Sequence, residues 1–197
     1  LEERRRIPTW TDALRRFIEL ADAAGVMVMV SGVVGSNNRR KLDPEEFRGF
    51  ALADSLAPLV FLNGSDSKAA QMFTLAHEIA HIWLGESAVS DAQPSEVPDN
   101  RIERWCNEVS AELLVPLEVF QSDYDRSADL RTEMDRLARR FKVSTLVILR
   151  RMRDADGLNA TRFREAYAAE VERLRAMPTG GGGNFYLTLG ARGSKRF

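Results

Sequence analysis

The stretch Phe73-Thr74-Leu75-Ala76-His77-Glu78-Ile79-Ala80-His81-Ile82-Trp83-Leu84 holds both histidines of this chain. Its apolar residues and lack of breakers predict a helix from about Ser67 to Leu84, with Gly85 as its stop. Two histidines four apart on a helix lie on one face, about one turn from each other, so both imidazoles reach a single metal ion. Glu78 follows His77 directly and is rotated about 100° around the axis. It can therefore hold a metal-bound water without being a ligand, and act as general base as that water attacks a carbonyl. The blander reading is a pair of core histidines bonded to the backbone. An apolar helix that buries ring nitrogens does so at a cost unless they are hydrogen-bonded or metal-bound, which favours the metal.

A catalytic zinc takes three protein ligands and keeps one position for water. The chain has no third histidine, and Cys106 is its only thiol, so a carboxylate is the natural third ligand. A second helix, predicted over about 100–115 and ended by Pro116, offers Glu103 and Glu108. Glu103 is followed one turn later by Asn107, placed to orient a ligating histidine from behind. Glu108 has Glu112 in the equivalent position, and the residues alone leave the choice open.

Outward from these helices, Trp10, Leu14, Phe17, Ile18 and Ala21 predict an amphipathic helix over about 9–24. Val26 to Val30 and Leu59 to Leu62 read as short strands of one small twisted sheet packed on the histidine helix. Between them, Ser36-Asn37-Asn38 reads as a turn, and Asp43-Pro44-Glu45-Glu46 as the start of a short helix. The segment 85–98 reads as a surface loop bordering the site, and Tyr124 falls in a loop after Pro116. Leu130 to Arg153 has the pattern of two helices around a tight turn, and a last helix is expected over about 160–177. Pro178 and the run Gly180 to Gly183 read as a hinge before an extended tail in which Phe185, Leu187 and Leu189 alternate. The expected class is thus α+β, with a core over 1–125, a helical subdomain over 126–177 and a tail over 178–197.

With 197 residues and 44% hydrophobic content, the chain is long enough to bury a real core. A formal net charge of -1 with interspersed signs gives no global attraction to nucleic acid or acidic membranes. Arg139, Arg140, Arg150, Arg151 and Arg153 surround the helix pair, but the start of its second helix, Ser144 to Leu149, is largely apolar. A recognition helix exposes polar residues there, so direct nucleic-acid binding is not expected. A lone cysteine and the absence of a signal core or membrane-length apolar run point to the cytoplasm. The start at Leu1 reads as that of a piece of something longer.

The segments Phe73 to His81 and Glu103-Arg104-Trp105-Cys106-Asn107-Glu108-Val109-Ser110-Ala111-Glu112-Leu113-Leu114-Val115-Pro116 resemble the paired motifs of the ImmA/IrrE metallopeptidase family. H-E-x-x-H is also the zincin signature. The resemblance covers about 43–153. It implies a zincin-like core followed by a helix-turn-helix-like subdomain, and Zn2+ held by His77, His81 and Glu103. Asn107 then stands behind the ligands, and Glu78 is the catalytic base of a metallo-endopeptidase. The expected substrate is a protein, a bacterial transcriptional repressor or an antitoxin partner. The alternatives are a toxin-antitoxin or regulatory binding module with little hydrolysis, and a DNA-binding regulator acting through the helical subdomain. Many members of that family carry an N-terminal Xre-type DNA-binding domain; the residues before Trp10 cannot be one, and the start at Leu1 leaves room for an excised one.

Overall fold

The computed structural model describes residues 6–35, 37–91 and 100–176. Within them the chain runs through α1 (Trp10–Ala23), β1 (Met27–Ser31), β2 (Val33–Val34), β3 (Asn37–Lys41), β4 (Phe47–Leu52), β5 (Leu59–Asn63), α2 (Lys68–Leu84), β6 (Ala88–Asp91) and α3 (Arg101–Leu114). It continues through α4 (Leu117–Asp123), α5 (Leu130–Phe141), α6 (Thr145–Asp154) and α7 (Ala160–Arg175). The class is α+β. Two compact units divide it, Pro8–Ser110 and a second beginning at Ala111, and the division falls inside α3.

In the first unit, four strands form a sheet in the order β1-β5-β4-β6, with β1 and β5 parallel and the other pairs antiparallel. The two strands expected from the sequence are direct neighbours, Val28 opposite Val60 and Val30 opposite Leu62. Val28, Val60 and Ala51 form one buried row across three strands. The helices α1 and α2 pack on each other; α1 also packs on β1, and α2 on β4, β5 and β6. On β4 the inward residues are Gly49 and Ala51, and their small size brings α2 close to the sheet. A Cβ on Gly49 would stand 2.6 Å from Thr74 Cγ2 and 2.7 Å from the Phe61 carbonyl oxygen. The glycine thus serves space. Alternate residues point the other way: Met29, Phe61 and Phe50 are cross-strand partners, and the two phenylalanine rings stack at 5.1 Å.

The second unit is helical. A single turn with Lys142 in the left-handed region (φ 55°) joins α5 to α6, and Ser144 caps α6 by accepting from the Val147 amide. Phe120, Leu137, Ile148, Leu149, Met152 and Phe163 fill the core. Burial takes in nearly the whole first half of α6, including Thr145, Val147, Ile148 and Leu149. Among the described residues, no helix is long and apolar enough to cross a membrane.

Four local expectations are corrected. Asp43 to Glu46 is a turn, not a helix start: the Asp43 carboxylate accepts from the Glu45 amide, its carbonyl accepts from Glu46 and Phe47, and the chain leaves directly into β4. Asn37 and Asn38 open β3; the reversal lies earlier, where Gly35 has φ 53°. The segment after Gly85 includes β6, paired to β4. The residues after Pro116 form α4, with Tyr124 at its C-terminal cap. The expected glycine hinge and extended tail lie outside the described residues.

Candidate metal centre

Helix α2 carries both histidines, and its ends are fixed locally. The Ser67 hydroxyl accepts from the Ala70 amide, and Gly85, at φ 72°, takes the left-handed conformation that ends the helix. Nearly every side chain from Gln71 to His81 is buried, as expected of a helix that is apolar all round. His77 and His81 therefore sit in a dry wall, 6% and 2% exposed.

The third donor comes from the first turn of α3. Asn100 supports that turn by accepting from the Ile102 amide, and a carboxylate near a helix N-terminus is favoured by the helix dipole. Glu103 Oε2 lies 3.1 Å from His77 Nε2, Glu103 Oε1 lies 3.2 Å from His81 Nε2, and the two Nε2 atoms are 3.1 Å apart. Each residue thus turns a lone-pair atom to one common point, and the group has the composition of a metal-binding set. Two ligands at ordinary zinc distances in a tetrahedral site are separated by about 3.3 Å, so these spacings fit one ion between the three side chains. Glu103 is 33% exposed at its side chain and forms the open side of the group. Glu108 is exposed on the same helix and has no place in it.

Electrostatics agree with this geometry. The hydrogen bond from His77 holds the Glu103 carboxyl below its usual range, with burial opposing and the charge of both rings assisting. Burial pushes the His81 ring below the ordinary imidazole range, His77 acts in the same direction, and the carboxylates of Glu103 and Glu86 oppose it. Neutral imidazole is the form that binds a metal.

Glu78 is completely buried, with Oε1 3.6 Å from where a Cβ on Gly49 would stand. It lies in the seam between α2 and β4. Asn107 is half-buried, and among the described residues both buried histidine Nδ1 atoms have no hydrogen-bond partner, so Asn107 makes no bond to either of them.

Three neighbours of the group escaped the sequence reading. Phe73 packs against the His77 ring at 6.3 Å between centroids; its position four residues before His77 was the available signal. Gly49 lies in a strand that was not foreseen. Cys106, noted only as a lone thiol, is buried beside Glu103 and Glu78.

Residues 21–153 match the model of the IrrE N-terminal-like domain, a peptidase family designated M78. The chain belongs to that family. As a member of the IrrE N-terminal-like family it is also similar to a curated protein, the radiation response metalloprotease IrrE of Deinococcus radiodurans. The two are 34% identical over 91 residues, which make up 44% of this chain and 28% of that protein. The chain thus matches well under two thirds of the relative's length. Family and relative together support a metallopeptidase-type function.

Proposed function

We propose that this chain is a zinc-dependent endopeptidase of the cytoplasm that cleaves a protein substrate, a bacterial transcriptional repressor or an antitoxin partner. The observation that carries the reading is the convergence of His77, His81 and Glu103 at 3.1 to 3.2 Å. These residues would hold the ion, which supplies Lewis-acid polarisation of the scissile carbonyl and makes water acidic enough to attack near neutral pH. Imidazole and carboxylate donors with an open side suit catalytic zinc, whereas closed structural sites are typically rich in cysteine thiolates. Glu78 accepts the proton of the attacking water and returns it to the leaving amine. The low exposure of both rings limits bulk water at the reacting centre, which strengthens each electrostatic contact there.

A second reading, a regulatory binding module that keeps the zinc fold with little hydrolysis, draws on the complete burial of Glu78. A third, DNA binding through α5 and α6, has little support. The first half of α6 is buried, Arg140 pairs with Asp123, and Arg151 pairs with Glu112 and Asp154. Arg150 donates to the Tyr167 hydroxyl.

The test is cleavage of a co-encoded repressor or antitoxin by the zinc-loaded protein and by Glu78→Gln. The enzyme reading expects cleavage by the first alone, with equal zinc in both. Equal biological function of the two proteins without cleavage would favour the binding module.

A further inference from the structure

The two buried Nδ1 atoms pose a chemical problem for a metal site. An imidazole that gives its Nε2 lone pair to a metal carries its proton on Nδ1, and that N–H then needs an acceptor. A buried donor left unsatisfied costs free energy comparable to a lost hydrogen bond or more. Among the described residues neither Nδ1 has a hydrogen-bond partner, while both Nε2 atoms are engaged with Glu103 and with each other.

The end of α2 supplies a group for His81. The Gly85 amide donates to the Ile82 carbonyl at 3.0 Å, and the Glu86 amide donates to the His81 carbonyl at 3.1 Å. This pair of bonds is a Schellman motif, in which the second residue past the helix end frequently contacts the side chain five positions earlier. The contact it makes is commonly apolar on apolar. Here the two positions hold Glu86 and His81, a carboxylate and an imidazole. Glu86 is exposed, and its side chain forms no hydrogen bond or ion pair among the described residues, so it can turn without breaking another contact.

Resting on the metal reading above, we propose that Glu86 is a positioning residue that accepts the His81 Nδ1–H in the metal-loaded protein and so fixes the ring with Nε2 toward the ion. The Schellman turn acts as the hinge that carries the acceptor to the ligand. Because Gly85 has φ 72°, the motif and the placement of Glu86 depend on that glycine.

The experiment measures zinc affinity by competition with a chromophoric chelator for the wild type, Glu86→Ala and Glu86→Gln, with nitrogen-15 NMR of the His81 ring in the loaded proteins. Loss of a supporting acceptor of this kind weakens metal binding by about 10- to 100-fold, the result expected for Glu86→Ala. Glu86→Gln keeps a carbonyl oxygen and should stay near wild type. The His81 Nδ1–H resonance should show a hydrogen-bonded shift in the wild type that disappears in Glu86→Ala. Equal affinity and an unchanged resonance in Glu86→Ala would overturn the role of Glu86 while leaving the metal reading intact. A wild type that takes up no zinc would instead overturn the metal reading itself, and this inference with it.

Discussion

Cys106 lies under the candidate centre, fully buried, and its thiol is pushed up to about 12, first by burial and then by the charges of Glu103 and Glu78. The same two carboxylates that suit a cation make a thiolate unfavourable, so Cys106 adds apolar packing and no ligand. In the folded protein at pH 8 it should resist a thiol reagent such as dithionitrobenzoate, and one equivalent should react after unfolding in guanidinium. Rapid stoichiometric labelling of the folded protein would place the thiol outside this environment. Glu103 shows the opposite balance, since bonds to two imidazoles outweigh its burial and keep it charged. The contrast between two residues three apart on one helix shows how finely the group is built for positive charge.

The seam between α2 and β4 sets where Glu78 lies, and Gly49 sets the seam. A Cβ there meets Thr74 Cγ2 and the Phe61 carbonyl oxygen inside contact distance, and one of these is backbone that does not yield to a rotamer change. Gly49→Ala should therefore cost roughly 1–3 kcal/mol, the usual range for overpacking, and Thr74→Ser in the same chain should recover part of it. Urea unfolding of the three proteins measures both; a neutral Gly49→Ala would mean the helix rides higher on the sheet. Elements whose burial follows their own periodicity were legible in the sequence: α1, the histidine helix with its Ser67 and Gly85 ends, the strands β1 and β5, and the α5–α6 pair. The strand β4 was not, because Gly49 and Ala51 face inward and erase the apolar alternation that marks a half-buried strand. Asp43-Pro44-Glu45-Glu46 shows the same limit in reverse. Its residues suit a helix start and an Asx turn equally, and the pairing of β4 with β5 selects the turn. The histidine pair and its geometry followed from spacing alone, whereas Glu103 against Glu108 depended on how α3 meets α2, a tertiary fact that spacing does not contain.

Across the molecule, the two units depend on charge in different ways. The helical unit keeps Glu133 buried, and Arg136 donates to both of its oxygens while the Asp125 amide donates to one. The Arg136 bond holds that carboxyl below its usual range against the opposing effect of burial. The unfolded chain protonates the group near pH 4.3 on average, at about the ordinary glutamate value, while the folded state keeps it charged to lower pH. Its stabilisation is therefore complete above that value and is lost as pH falls through the depressed folded pKa. Circular dichroism of thermal unfolding should show the wild type more stable than Glu133→Gln at neutral pH, with the gap closing below about pH 4. A gap independent of pH would remove the ion pair from the account. The first unit should respond to metal instead, since an ion bound only by the folded state stabilises it by mass action. The most direct test is metal content after exhaustive dialysis against metal-free buffer, for the wild type, Glu103→Ala, Glu108→Ala and Glu78→Gln. About one equivalent of zinc should remain in the wild type, Glu108→Ala and Glu78→Gln, as expected for a three-ligand site, and should be lost from Glu103→Ala. Retention of zinc by Glu103→Ala with its loss from Glu108→Ala would contradict the site proposed for this chain.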